Sequence, residues 1–248
     1  MRVLNVFTKD EIKTIKDALL TCEWQNGKDS AIGAAKDIKN NRQIFAQQKG
    51  FAPISTLVVD KLVKGNARQI LFPKSIVGLR ANSYSVGETY GWHVDMAHMS
   101  LKRTDMSFTI FLSEKDSYEG GELDIKSDGF TMTVKGHPGE MVIYDTGLLH
   151  QVRPVTKGER VCIIGWIESL VPDQSARQIL MDYGTNLAAI KRRLDTSTPP
   201  EQGEFDNLNQ NFFQLIRTLS RRQRGSEGTT LHCTFFLISF LILSSKIF

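Results

Sequence analysis

Residues 130–169 read FTMTVKGHPGEMVIYDTGLLHQVRPVTKGERVCIIGWIES, and this stretch decides the class of fold. Runs rich in β-branched and aromatic residues alternate in it with turns that contain glycine or proline. Short runs of this kind, bounded by turn residues, indicate β-strands. We predict four strands here, at 130–134, 140–144, 149–153 and 160–169.

The same alternation begins upstream, at Ile76, with turns at Glu119-Gly-Gly121 and Ser127-Asp-Gly129. No helical segment of about 10–15 residues separates the runs, so a sandwich, barrel or jelly roll is favoured over an α/β sheet. The turn at 119–121 is interpreted as an architectural reversal within the β-rich region. The alternation predicts four further strands, at 77–84, 90–96, 107–112 and 121–125.

Helical patterns precede this β-rich region. Thr8-Lys-Asp-Glu11 is a capping box, and apolar residues follow it at helical spacing, which predicts a helix over 9–21. Residues 24–46 are polar, and we expect a loop there that passes into a second helix. Residues 55–62 predict a further helix or helical turn.

Helical patterns also follow the β-rich region. Two apolar stripes, over 176–194 and 208–219, predict two C-terminal helices. The chain is therefore expected to be mainly β with flanking helices, an α+β protein. We divide it into an N-terminal helical flank, a β core, C-terminal helices and an apolar tail of unknown role, at 1–75, 76–170, 171–224 and 225–248.

The composition excludes several classes of protein. The 248 residues are 41% hydrophobic and 23% charged, which is enough for a buried core and unlike a disordered chain. The net charge of +4 comes from 31 basic and 27 acidic residues, and its excess lies near the C-terminus, so no nucleic-acid partner is expected. The three cysteines form no CxxC pair, which favours a reducing compartment, and we expect a cytoplasmic protein.

The two ends of the chain are the places for targeting or membrane segments, and a C-terminal anchor is the weaker alternative there. The N-terminus lacks a basic region followed by a long apolar run, so no signal peptide is predicted. Residues 234–243, TFFLISFLIL, are the most apolar run, but they fall short of the ~20 residues of a spanning helix. We therefore favour a packed or dispensable segment at 231–248 over a membrane anchor.

Two histidines and one aspartate stand at the spacing of a metal site. His93 and Asp95 lie two residues apart in a predicted strand, so both side chains project from one face. His150 lies on another predicted strand, and two imidazoles with one carboxylate form the facial triad that binds Fe(II) and leaves coordination positions open. The alternative is a chance HxD pair, with the histidines in the core or at the surface.

Arg160 stands near the start of the last predicted strand. It shares a face of that strand with Cys162, Ile164 and Trp166, where a guanidinium among apolar groups needs an anionic partner. A guanidinium can hold a carboxylate through two parallel hydrogen bonds. The alternative is a strand-end arginine that reaches solvent from the neighbouring turn.

Several blocks of sequence resemble a known family. They are, in chain order, IKNNRQ at 38–43, YGWHVD at 90–95, RTDMS at 103–107, YEGGEL at 118–123, LH at 149–150, GER at 158–160 and WIESL at 166–170. In this order they are similar to the PKHD-type hydroxylases, a prolyl-4-hydroxylase-like branch of the Fe(II)/2-oxoglutarate dioxygenases. The similarity extends over about residues 1–195, and YDTGLL at 144–149 departs from a stretch that the family often makes rich in Pro and Ser.

The resemblance implies a double-stranded β-helix, or jelly roll, as the core. It implies a catalytic centre of Fe(II) bound by His93, Asp95 and His150, with the distal carboxylate of 2-oxoglutarate on Arg160. The implied reaction uses O2 to hydroxylate an unactivated C–H bond while 2-oxoglutarate becomes succinate and CO2, and L-ascorbate is implied as a further requirement. The substrate, whether peptidyl residue, free amino acid or other small molecule, and the oligomeric state stay open.

Aromatic and polar residues around these positions receive weaker assignments. Tyr84 and Asn82 share a face of one strand and could contact the cosubstrate, with core or surface placement as an equal alternative. Trp92 and Trp166 are expected to pack in the core rather than to bind anything.

Two other functions compete with the hydroxylase. One is a non-catalytic jelly-roll module that binds a metal or another ligand, which would need neither Arg160 nor an open iron site. The other is a cupin-like Mn or Ni enzyme, whose site usually has three or more histidines. His98 and His137 lie in predicted loops and receive no ligand role, so the hydroxylase is favoured.

Overall fold

The structure, a computed structural model, describes residues 1–65, 67–194 and 199–221. The strands in these residues are β1 (Arg2–Asn5), β2 (Gln25–Asn26), β3 (Lys39–Asn40), β4 (Arg42–Phe45), β5 (Pro73–Tyr84), β6 (Thr89–His93), β7 (His98–Met99), β8 (Lys102–Arg103), β9 (Met106–Phe111), β10 (Glu119–Gly120), β11 (Leu123–Ser127), β12 (Phe130–Val134), β13 (Glu140–Asp145), β14 (His150–Val152), β15 (Val155–Lys157) and β16 (Arg160–Ser169). The α-helices are α1 (Lys9–Leu19), α2 (Ala52–Val59), α3 (Arg68–Leu71), α4 (Gln174–Leu194) and α5 (Pro199–Arg221).

Two antiparallel sheets form the centre of this part of the chain. The major sheet has the strand order β1-β13-β9-β16-β5-β4-β2, and the minor sheet has the order β12-β11-β14-β6-β3. Strands far apart in sequence are neighbours, since β16 pairs with both β9 and β5. The eight strands predicted between residues 77 and 169 are all present, and the mainly β fold with flanking helices is confirmed.

Apolar side chains from both sheets meet in one core. Phe111 and Tyr144 of the major sheet pack in the same cluster as Leu123 and Ile125 of the minor sheet. Both faces of β9 are covered, because Ile110 packs on the opposite side in the cluster that the helices complete. All six residues of β9 are therefore buried, the four apolar ones together with Ser107 and Thr109.

Helix α1 covers the outer face of the major sheet. The Thr8 hydroxyl accepts a hydrogen bond from the Glu11 amide at 3.3 Å, and the Glu11 carboxylate accepts one from the Thr8 amide at 2.9 Å. This capping box fixes the start of the helix. Its apolar face, with Ile15 fully buried, joins residues of α2 and of the major sheet in one cluster, so the helix of the prediction is confirmed.

The two long helices α4 and α5 pack against each other near the end of the described chain. Their shared cluster includes Leu180, Leu187, Phe205 and Phe212, together with Phe72 from the entrance to β5. The two predicted C-terminal helices are therefore confirmed.

The expectation for residues 24–46 is wrong, because this segment forms no α-helix. It contains β2, β3, β4 and two short 3-10 turns, Gly27–Ser30 and Gly33–Lys36. The sheet edges recruit it: β4 pairs with β5 in the major sheet and β3 pairs with β6 in the minor sheet. Such pairing comes from backbone groups, so a polar segment without periodicity can form it.

The described helices include none that is long and apolar enough to cross a membrane. The apolar tail at 225–248 lies outside the described residues.

We expect Gly120→Ala to destabilise the protein by about 3 kcal/mol, because φ at Gly120 is +72° and an added methyl group would overlap the Pro154 carbonyl oxygen. Gly129→Ala is the matched control, since φ is +83° there but no atom lies within 4 Å of the new methyl group. It should cost about 1 kcal/mol. Urea denaturation measures both, and equal losses would contradict the packing argument.

Candidate metal centre

His93, Asp95 and His150 come together at one end of the minor sheet. His93 is the last residue of β6 and is the register partner of His150, the first residue of β14. The Asp95 carboxylate lies 3.7 Å from His93 Nε2 and 3.5 Å from His150 Nε2. One ligand atom from each residue lies within 4.8 Å of the others, a spacing that can hold a metal ion. Within the described residues, no other group of three or more His, Cys, Asp or Glu side chains has this spacing.

The spacing argument for His93 and Asp95 is only partly correct. Strand β6 ends at His93, and Asp95 lies in the irregular segment that follows it. The two side chains therefore meet just beyond the end of the strand and not within it. His150 lies on a strand as predicted.

Each histidine is oriented by its second ring nitrogen. Nδ1 of His93 lies 2.7 Å from the Gly91 carbonyl oxygen, and Nδ1 of His150 lies 2.9 Å from that of Leu148. A proton donated from Nδ1 leaves Nε2 with a free lone pair toward the triad. Burial, and then the neighbouring His150 ring, lower the pKa of His93 to about 4, so its neutral, metal-binding form prevails at pH 7.

The Asp95 carboxylate is held by the major sheet. Its Oδ2 accepts hydrogen bonds from Ser107 Oγ on β9 at 2.8 Å and from Trp166 Nε1 on β16 at 2.9 Å. Two donors fix the carboxylate orientation and stabilise its charge. Trp166 is buried as predicted, but it also binds the carboxylate, which the expectation of core packing alone missed. A buried indole N–H needs an acceptor, and that requirement was the available signal.

Arg160 lies inside the β core and not at a solvent-exposed strand end. It is 1% exposed, and its guanidinium carbon is 5.3 Å from the centre of the Tyr84 ring. Nη1 donates to the Cys162 thiol at 3.0 Å, whereas Nε is buried without a hydrogen-bond partner. No carboxylate of the described residues lies within 4.0 Å of this guanidinium. A buried cation in this state favours an anionic ligand.

The triad and Arg160 open into one cavity of about 180 Å³. Asn82 and Tyr84 line it from β5, as their shared face predicted. Tyr84 is 1% exposed, and burial raises the pKa of its phenol well above the usual range, so it is a neutral hydrogen-bonding group there. The cavity also receives Ile164 and Trp166 from the face of β16 that carries Arg160.

The remaining predictions have mixed outcomes. His137 lies in a loop as predicted, but His98 lies in the two-residue strand β7, and neither joins the triad. Trp92 is only half-buried, with the Lys126 ammonium 4.5 Å above its ring. The sequence reasoning gave no site role to Ser107, although Asp95 depends on it.

Comparison with known proteins agrees with this geometry. Residues 79–168 match the model of the 2OG-Fe(II) oxygenase superfamily. A PKHD-type hydroxylase of Alteromonas mediterranea is 34% identical over 229 residues, which cover 88% of this chain and 97% of that protein. Another PKHD-type hydroxylase, from Prochlorococcus marinus (strain MIT 9303), is 36% identical over 211 residues, which cover 84% of this chain and 93% of that protein.

A solved structure shows the same fold. A prolyl hydroxylase from Trichoplax adhaerens, in complex with a peptide fragment of the hypoxia inducible factor oxygen degradation domain, has a TM-score of 0.52 and 12% identity. The match covers 67% of this chain and 83% of that one. The jelly-roll core is therefore confirmed.

The chain belongs to the PKHD-type hydroxylases of the 2OG-Fe(II) oxygenase superfamily. It is a 2-oxoglutarate- and Fe(II)-dependent dioxygenase that hydroxylates its substrate. This membership opposes the alternative of a non-catalytic binding module.

We expect Trp166→Phe to weaken Fe(II) binding about tenfold, because the variant keeps the ring but removes one of the two donors to Asp95. Trp24→Phe is the matched control, since Trp24 lies outside the cavity lining. Anaerobic Fe(II) titration measures the affinity. Equal affinities of the two variants would show that the indole N–H does not orient the carboxylate.

Proposed function

We propose that His93, Asp95 and His150 bind Fe(II) and that Arg160 and Tyr84 bind the distal carboxylate of 2-oxoglutarate. The observation that carries this proposal is the placement in one cavity of the triad and of a buried guanidinium that has no carboxylate partner among the described residues. The donor set fits, since two imidazoles and one carboxylate are the ligands that Fe(II) oxygenases use. The orphaned Nε of Arg160 fits as well, because a carboxylate would satisfy it.

When bound, iron and 2-oxoglutarate supply the oxidising chemistry, which uses O2 and releases succinate and CO2 as a C–H bond becomes C–OH. The side chains position and shield these groups. Ser107 and Trp166 hold the Asp95 carboxylate in one orientation. Tyr144 is buried edge-on against the His150 ring, at 5.1 Å between centroids, and keeps water from that side of the triad.

Four further assignments belong to this proposal. L-Ascorbate keeps the iron ferrous between turnovers, as the resemblance implies. The enzyme works in the cytoplasm, which the free thiols Cys22 and Cys162 and the need for ferrous iron support. Residues 76–170 are the catalytic core, and the flank at 1–75 adds strands β1–β4 to its two sheets, while 171–224 form the C-terminal flank. The substrate is a peptidyl residue or a small molecule.

His93→Ala and Asp95→Ala should each reduce succinate formation from 2-oxoglutarate by at least 100-fold, because each removes one of three metal ligands. His98→Ala is the control, as His98 is exposed and lies outside the triad. Succinate is measured by chromatography after incubation with Fe(II), ascorbate and O2. Full succinate formation by either triad variant would refute the metal assignment.

Arg160→Met should raise the KM for 2-oxoglutarate about 100-fold, because the distal carboxylate loses its buried cationic partner. The metal-free variant should melt no lower than the wild type, since methionine removes an unpaired buried charge. Arg153→Met is the control, because Arg153 is partly exposed and pairs with Asp124 at 2.7 Å. An unchanged KM in Arg160→Met would exclude the anchor role.

A further inference from the structure

Two further cations line the cavity and are not used by the proposed function. Lys39 from β3 and Arg80 from β5 both contribute to its wall. Lys39 is 4% exposed, and its ammonium donates to Ser30 Oγ at 2.7 Å. No carboxylate in the described residues lies within 4.0 Å of this ammonium. Burial, and then the neighbouring Arg80, lower the pKa of Lys39 to about 7.

Arg80 is in a similar position. Its guanidinium carbon lies 5.0 Å from the centre of the Trp166 ring and 5.7 Å from that of Phe45, and Nε donates to the Gly78 carbonyl at 3.0 Å. It also forms no ion pair with a described carboxylate. The Asp95 carboxylate, which also lines the cavity, is the negative charge that favours the charged form of Arg80. Coordination of a metal cation by Asp95 would offset that charge and leave both cations without an anion.

The pair lies apart from the proposed 2-oxoglutarate anchor. On the β5–β16 ladder, Tyr84 is the partner of Arg160 and Arg80 is the partner of Ile164. Four residues of an antiparallel strand span about 13 Å, so Arg80 and Arg160 lie at well-separated levels of the cavity. One 2-oxoglutarate molecule with its distal carboxylate on Arg160 leaves Lys39 and Arg80 for another ligand.

Each of the two cations is one aromatic ring away from a proposed metal ligand. The Tyr90 ring lies 4.9 Å from the Lys39 ammonium and stacks on His93 at 3.5 Å. The Trp166 ring contacts Arg80 and donates to Asp95. An anion held by this pair therefore places the atoms next to it close to the triad.

We propose that Lys39 and Arg80 bind the carboxylate of the substrate, so that the enzyme hydroxylates a carbon near a free carboxylate. The inference rests on the proposed function of the triad and Arg160, and it names the substrate class as a small carboxylic acid or a C-terminal peptide residue. The size of the cavity, about 180 Å³, favours a compact ligand over a polyanion. Exposed Ile32, Val94 and Met96 line the mouth and offer apolar contact to the rest of such a substrate.

An equilibrium titration tests this subsite without turnover. The full-length enzyme, loaded with Fe(II) and saturating 2-oxoglutarate under anaerobic conditions, is titrated with butyrate and with butyramide, two probes that differ in charge and not in the carbon chain. Butyrate should bind at least tenfold more tightly than butyramide, because a charge-assisted contact favours the anion by about this factor. Equal binding of the two probes overturns the proposal.

Variants test whether the two cations cause the preference for butyrate over butyramide. Lys39→Met and Arg80→Gln should each reduce the ratio of the butyramide to the butyrate dissociation constant toward one. Lys39→Arg, which keeps the positive charge, should retain most of the wild-type ratio. Lys64→Met and Arg192→Gln are the matched controls, since both residues are exposed on helical segments away from the cavity, and they should keep the wild-type ratio. A ratio that survives in both Lys39→Met and Arg80→Gln overturns the proposal. Because each ratio is taken within one variant, partial unfolding does not change its meaning.

Turnover then identifies the source of the carboxylate. Succinate release is compared for free L-amino acids and their amides, and for tetrapeptides with a free or an amidated C-terminus. Stimulation by the free amino acids alone indicates a small-molecule substrate, and stimulation by the free C-termini indicates a peptide. Amidated compounds that stimulate as well as the acids overturn the inference. Succinate formed from 2-oxoglutarate without any substrate tests the proposed function of the triad and Arg160 by itself, so its failure is distinguished from failure of the carboxylate subsite.

Discussion

The two hydrogen bonds to the Asp95 carboxylate are the interaction on which the centre of this molecule depends. Asp95 stands two residues after the end of β6 in the minor sheet, and its donors, Ser107 and Trp166, belong to the major sheet. The carboxylate thus joins the two sheets at the point where the histidines meet. A ligand set assembled across two sheets is rigid only if the sheets themselves pack tightly, and the shared apolar core provides that packing.

The cavity has an unusual balance of charge. Arg160, Lys39 and Arg80 line it, and the Asp95 carboxylate is the negative charge that acts on Lys39 and Arg80. Burying such cations without carboxylate partners costs free energy of folding. These cations instead supply binding energy for an anion that enters the cavity. Arg160 lies beside Tyr84 and Arg80 lies four residues away along the ladder, and this separation determines which anion each cation can select.

Much of the fold was visible in the sequence because apolar runs and turns have a direct local cause. The strands between residues 77 and 169 and the capped helix α1 follow from side-chain periodicity and from the Thr8–Glu11 box. Residues 24–46 could not be predicted in this way. Their short strands form because β5 and β6 present unpaired edges to them. This is a tertiary effect, and a polar sequence without periodicity does not predict it.

The sequence by itself determined which residues form the triad and that Arg160 shares a face with Trp166, since motif and alternation are properties of the chain. Only the tertiary structure decided that Asp95 leaves the strand after His93 and is fixed by Ser107 and Trp166. It also decided that Lys39, in a segment expected to be loop and helix, is buried beside the same cavity as Arg80. The physical reason is that burial and hydrogen-bond partners depend on which distant strands become neighbours. Local periodicity does not specify that long-range pairing.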